Sequence, residues 1–125
     1  MRKTDLQRFR KLLQDEKDRV MLSLAQHEKV IKHTDLSGLE TGKAHSNHMA
    51  DQGSDEFLYE TTIKFANAEG RYLYSIEEAL GRIEDGTYGR CLECHTAIAN
   101  ERLKRLPYTR LCIECKEKEE AGEAG

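Results

Sequence analysis

Residues 58–83 read LYETTIKFANAEGRYLYSIEEALGRI, and their spacing decides the fold. Leu58, Thr62, Phe65, Glu69, Tyr72, Ile76, Ala79 and Ile83 recur in alternating steps of four and three. That is the heptad spacing that lines up one face of an α-helix as a coiled-coil seam. Ser54 is a good N-cap, with Asp55 and Glu56 in a first turn where the helix dipole favours acids. The helix is predicted to end near Asp85, with Gly86 as its left-handed cap.

Working towards the N-terminus, a second stripe joins Leu6, Phe9, Leu13, Glu16, Val20, Leu24, His27 and Ile31 by steps of three or four, and fades after Ile31. Thr4-Asp5-Leu6-Gln7 reads as the capping box that opens this helix. Each seam is too narrow to be buried alone, so the two are expected to pack as an antiparallel hairpin. Segment 36–53, with Gly, Ser and Asn, forms its tip. Folding the chain about that midpoint places Leu24 near Phe65 and Leu13 near Ile76.

On the other side lie the four cysteines of the chain, Cys91, Cys94, Cys112 and Cys115, in the pattern C-x2-C-x17-C-x2-C. The spacing falls in the four-thiolate zinc range. Each C-x-x-C pair on a tight turn points two sulfurs at one ion, and the intervening segment brings the second pair round to complete a tetrahedron. A redox dithiol is the weaker reading, because redox motifs do not occur as two copies bracketing a short ribbon. Four protein ligands leave no position for a reacting water, so one structural Zn2+ is expected. His95, next to Cys94, then needs no ligand role and reads as a surface knuckle residue.

Composition agrees with a thin helical protein. Of the 125 residues 38% are hydrophobic, 34% charged and 6% aromatic, with no Trp and one Pro. Such a chain cannot fill a wide core but is too patterned to be disordered. The net charge of −3 argues against a general DNA-coating protein. Segment 88–115 is mildly basic, yet has only Tyr88 and Tyr108 at its ends and no stacking platform, so sequence-specific nucleic-acid binding is not expected. No stretch is apolar enough to span a membrane, and the N-terminus runs straight into an amphipathic pattern rather than a signal peptide. A cytoplasmic location is expected. Charge is polarised: segment 1–35 carries nine basic and six acidic residues, whereas 36–56 sets Lys43 against Glu40, Asp51, Asp55 and Glu56.

The runs Glu84-Asp85-Gly86-Thr87-Tyr88-Gly89-Arg90-Cys91-Leu92-Glu93-Cys94, Glu101-Arg102-Leu103, Leu106-Pro107-Tyr108 and Leu111-Cys112-Ile113-Glu114-Cys115 resemble the DksA/TraR family. The resemblance is detailed over 84–118 and extends, through the hairpin and tip, over most of the chain. It implies binding to bacterial RNA polymerase, with the coiled-coil tip inserted through the secondary channel to modulate initiation without reading DNA sequence. The family's tip motif, D-x-x-D-x-A, carried back from Cys91 without gaps, lies on His48-Met49-Ala50-Asp51-Gln52-Gly53. Asp51 takes the second acidic position, His48 replaces the first and Gly53 replaces the Ala, which loosens the tip. Asp55 belongs to the same acidic start of the second helix. The positions that bind ppGpp in some members fall on Ser75, Leu106 and Lys116. Lys116 is the remnant contact, so ppGpp binding is expected to be weak or absent. By the same alignment the chain begins about 23 residues later than the longer members.

The expected architecture is therefore mainly α: a long antiparallel two-helix coiled-coil hairpin over 1–87 with its tip at about 36–53, and a small four-Cys zinc ribbon. That module, 88–120, ends in a short C-terminal helix, and 121–125 is a frayed tail. A monomer is expected. The alternative is a zinc-ribbon adaptor for a protein or RNA partner, its hairpin used for dimerisation. An enzyme is not expected: His45-x-x-His48-x-x-Asp51 has ligand-like residue types but no second shell, and no catalytic triad, phosphate loop or dinucleotide fingerprint occurs.

Overall fold

The computed structural model describes residues 1–40 and 49–124, with side chains over 1–33 and 55–122. Four helices follow in order: α1 Lys3–Glu40, α2 Met49–Asp85, α3 Asn100–Arg105 and α4 Ile113–Ala124. Among the described residues there is no strand, only an isolated antiparallel bridge between Arg90 and Ala97, and no helix is long and apolar enough to cross a membrane. His45 and His48 lie outside the described residues, as do the side chains of Asp51 and Ser54.

The helix ends differ from the expected ones. The Leu6 amide donates to the Arg2 carbonyl at 3.0 Å, so α1 is already under way at Lys3 and Thr4 sits inside its first turn. It continues to Glu40, and α2 starts at Met49, five residues before Ser54. Propagation explains this. Each residue added to an existing helix gains a backbone hydrogen bond, which outweighs the few tenths of a kcal/mol that Ser, or about 1 kcal/mol that Gly, loses against Ala. The C-terminus of α2 is as read: Gly86 takes φ +83°, its amide donates to Ile83 at 3.4 Å and that of Thr87 to Arg82 at 2.9 Å. This is a Schellman cap. The carboxylate of Asp85 reinforces it by accepting from the Thr87 amide at 3.1 Å. The C-terminal α4 runs to Ala124, through the segment expected to fray, because Ala and Glu sustain helix beyond Lys118.

Two compact units divide the chain: Met1–Asp18 with Tyr74–Gly125, and Arg19–Leu73. The expected boundary at 87/88 separates segments that share one core. In the first unit Phe9, Leu13, Ile76, Ala79, Ile83 and Tyr88 are buried, and the Phe9 and Tyr88 rings meet at 5.7 Å. Its helices run antiparallel: Arg10 pairs with Glu84 at 2.8 Å and Lys17 with Glu77 at 3.8 Å. Seven residues forward on α1 match seven back on α2. These exposed pairs mark the register and add little stability.

In the second unit Val20 and Thr62 are buried. Glu69 of α2 accepts from the Ser23 hydroxyl and meets His27 Nδ1 at 2.5 Å. All these pairings are displaced by several residues from those that folding about residues 36–53 gives. Helical side chains lean towards their own N-terminus, so contacting residues on antiparallel helices lie beyond the level of their backbones. The inward line of α2 here is Tyr59, Thr62, Ala66, Glu69 and Leu73, buried or half-buried. Leu58 and Phe65, which the heptad reading placed in the seam, are 54% and 57% exposed. Small Ala66 takes the inward place, and the Phe65 ring stacks at the edge on His27, with centroids 6.0 Å apart.

Candidate metal centre

The four cysteines come from two turns. The first follows Gly89, whose φ of +88° suits only glycine. Beyond it the Cys91 amide donates to the Thr96 carbonyl at 2.9 Å and the His95 amide to the Cys91 carbonyl at 3.0 Å. His95 closes this knuckle with φ 62° and is exposed, which matches its reading as a surface residue. The second pair straddles the start of α4, where the Lys116 amide donates to the Cys112 carbonyl at 2.9 Å. The Leu92 amide donates to the Arg110 carbonyl at 3.0 Å and joins the two turns.

The segment between the pairs is set by a small core and two arginines. Ile98, Leu103 and Leu111 are buried, Leu103 from α3, which cysteine spacing alone does not announce. Arg102 Nε donates to the Leu111 carbonyl at 3.0 Å. Arg82, itself nearly buried, reaches the carbonyls of Tyr108 and Thr109 at 3.4 Å each. The Tyr88 hydroxyl donates to Pro107 at 2.8 Å. Arg82 carries no sequence signal beyond its place beside Ile83 in the stripe.

The sulfurs of Cys91, Cys94, Cys112 and Cys115 lie within 4.8 Å of one another, the described cluster of potential ligands for a metal. Cys94 and Cys112 stand 3.7 Å apart, against an edge of about 3.8 Å for a tetrahedron with 2.3 Å zinc–sulfur bonds. Burial works against ionising Cys91, but the backbone amides of Cys94, Cys112 and Glu93 outweigh it and bring the thiol down to about 6. Cys94 is lowered by the hydroxyl and amide of Thr96, whose Oγ1 lies 2.9 Å from its sulfur. Cys115 is pushed up to about 12 by Cys112 and Cys91 beside it. Four thiolates repel one another unless a divalent soft-acid cation neutralises them. Geometry, donor type and closed coordination fit one structural zinc.

Of the other site residues, Asp55 is exposed. Lys116 Nζ is held by Glu119 at 3.0 Å, and the same carboxylate takes Arg110 at 3.2 Å.

A closed C4 zinc finger built against the paired ends of two long helices is a small structural metal module, and comparison places it in a family. The family model for the prokaryotic dksA/traR C4-type zinc finger matches residues 86–121. The chain is 36% identical over 72 residues to general stress protein 16O of Bacillus subtilis, covering 56% of this chain and 43% of that one. It is 28% identical over 102 residues to the RNA polymerase-binding transcription factor DksA of Caulobacter vibrioides, covering 80% and 72%. The structure of transcription factor DksA2 from Pseudomonas aeruginosa matches with a TM-score of 0.80 at 26% identity, covering 98% of this chain and 88% of that one. Residues 86–121 are a zinc finger of the DksA/TraR type, and the chain as a whole is similar to DksA proteins in sequence and in fold. It spans less than half the length of the Bacillus relative.

Proposed function

We propose that this chain is a non-enzymatic, cytoplasmic regulator that binds bacterial RNA polymerase, with the tip between α1 and α2 inserted through the secondary channel to modulate initiation. The observation that carries the reading is the likeness to DksA2 along 98% of the chain, rather than over the zinc finger alone. Asp51, in the first turn of α2, is the residue assigned to the polymerase active-site region, with His48, Gly53 and Asp55 around it. A carboxylate there suits a contact to the catalytic magnesium or to the mobile elements that surround it. Direct sequence-specific DNA binding has no part in this reading.

The pairing of Lys116 with Glu119 supports weak or absent ppGpp binding, since an isolated lysine whose charge is already shared holds a diphosphate poorly. The test is in vitro initiation from a ribosomal promoter with host polymerase, comparing wild type with Asp51→Asn. Wild type is expected to change initiation and Asp51→Asn to lose most of that effect. No effect of wild type at saturation would sink the proposal, and undiminished regulation by Asp51→Asn would favour an adaptor that does not use its tip.

A further inference from the structure

The second unit, Arg19–Leu73, closes on little apolar surface. Among its described residues Val20 and Thr62 are buried, and the Thr62 hydroxyl is spent within its own helix, donating to the Leu58 carbonyl at 2.7 Å. Met21, Leu22, Leu58 and Phe65 are exposed. The first unit by contrast buries Phe9, Leu13, Ile76, Ile83, Leu103 and Leu111. What crosses the seam of the second unit is polar. Both carboxylate oxygens of Glu69, on α2, are engaged by α1: Oε2 accepts from the Ser23 hydroxyl and Oε1 meets His27 Nδ1 at 2.5 Å. Ser23 and His27 stand one helical turn apart, so a single carboxylate bridges two successive turns of α1. The Phe65 ring, one turn before Glu69, stacks on the His27 imidazole with centroids 6.0 Å apart and covers one of its faces.

We propose that Ser23, His27 and Glu69 form a polar clasp that governs a local opening of this unit, in which α1 and α2 part while the core of the first unit stays packed. A unit with sparse apolar burial belongs to the low-stability end of the range over which a protein opens piece by piece. The clasp supplies the hold that burial does not, because hydrogen bonds to a carboxylate are stronger than neutral ones. Its hold is also limited, since water takes each partner as soon as the helices separate. Residues 36–53 lie between the two halves of the clasp along the chain, so each opening frees the two ends of that segment from one another. This holds whether or not the segment enters a polymerase.

Native-state hydrogen exchange of the full zinc-loaded chain at neutral pH, read amide by amide, tests this. In the wild type the amides around Ser23, His27, Phe65 and Glu69 are expected to exchange at least about tenfold faster than those of Leu13, Ile76 and Ala79. Their exchange should also respond less to added urea, because a local opening exposes less surface than global unfolding. Glu69→Gln and His27→Ala are each expected to speed exchange in the second unit by about fivefold. Leu22→Ala, at an exposed position of the same helix, should leave it unchanged. A wild type whose two units exchange at one common rate overturns the proposal, because the chain then opens only as a whole. Exchange in the second unit that is indifferent to both Glu69→Gln and His27→Ala overturns it as well, since closure then rests on other contacts.

Discussion

The Tyr88 hydroxyl donates to the Pro107 carbonyl across 2.8 Å, tying the turn before the first cysteine pair to the turn before the second. The ring is buried against Phe9, so one side chain joins α1 to both halves of the metal module.

Tyr88→Phe keeps the packing and removes the hydrogen bond, and is expected to cost about 1 kcal/mol in urea unfolding at neutral pH. Burial pushes the Tyr88 hydroxyl up to about 12, although Arg82 pulls the other way, whereas a solvated tyrosine ionises near 10. Folding thus favours the neutral form. Its contribution is complete below pH 10 and is lost as pH rises from about 10 through 12. Unfolding midpoints at alkaline pH should fall more steeply for wild type than for Tyr88→Phe. Parallel curves would remove Tyr88 from the account.

Glu69 gives the opposite dependence. Burial works to raise its carboxyl, but the hydrogen bonds from Ser23 and His27, helped by the charges of His27 and Arg19, hold it below the ordinary value of 4.5. The ionised form is the one that folding favours, so this contribution is present above pH 4.5 and is lost as the pH falls through the folded value. Glu69→Gln should be less stable than wild type at pH 7 by about 1 kcal/mol, and its stability should decline less on acidification. A variant as acid-sensitive as wild type would show that other carboxylates dominate.

Metal analysis should return one zinc per chain for wild type, and Cys91→Ser should lose stoichiometric binding. Thr96→Val removes the hydroxyl 2.9 Å from the Cys94 sulfur. It is expected to weaken zinc by about tenfold in competition with a chromophoric chelator, the scale for a group that orients a ligand from behind. Stripping the metal should loosen the packing around Tyr88 and be seen in its near-ultraviolet signal.

Four glycines give stability changes of opposite sign. A Cβ at Gly70 or Gly81 meets nothing within 4 Å, and both sit inside α2, so Ala at either should stabilise by up to about 1 kcal/mol. Gly86 also has open space but carries φ +83°, so Gly86→Ala should destabilise by about 1 kcal/mol through the backbone alone. At Gly89, φ +88° is joined by a contact of 2.7 Å from the added Cβ to Met1 Cε. That thioether end swings aside easily, so Gly89→Ala should cost little more than Gly86→Ala. Thermal midpoints of the four variants check the order.

The features legible in the sequence are those that arise from neighbours along the chain. Heptad spacing made two helices, a glycine after Asp85 made the left-handed stop of the second, and two C-x-x-C turns in range of one ion made the zinc site. Each depends on a few adjacent residues, and no distant contact can reverse it. Tertiary structure alone decided the rest. The line through Leu58, Phe65 and Tyr72 and the line through Tyr59, Ala66 and Leu73 share Thr62 and Glu69, so periodicity fits both equally. Only α1, by taking Ala66 inward, turns Phe65 to the edge. Helix ends at Glu40 and Met49 reflect propagation from a packed seam rather than the local cap at Ser54. Arg82 is committed to the carbonyls of Tyr108 and Thr109, half-buried groups that come within its reach only in the folded module. That pairing does not exist until the module closes over the helix ends.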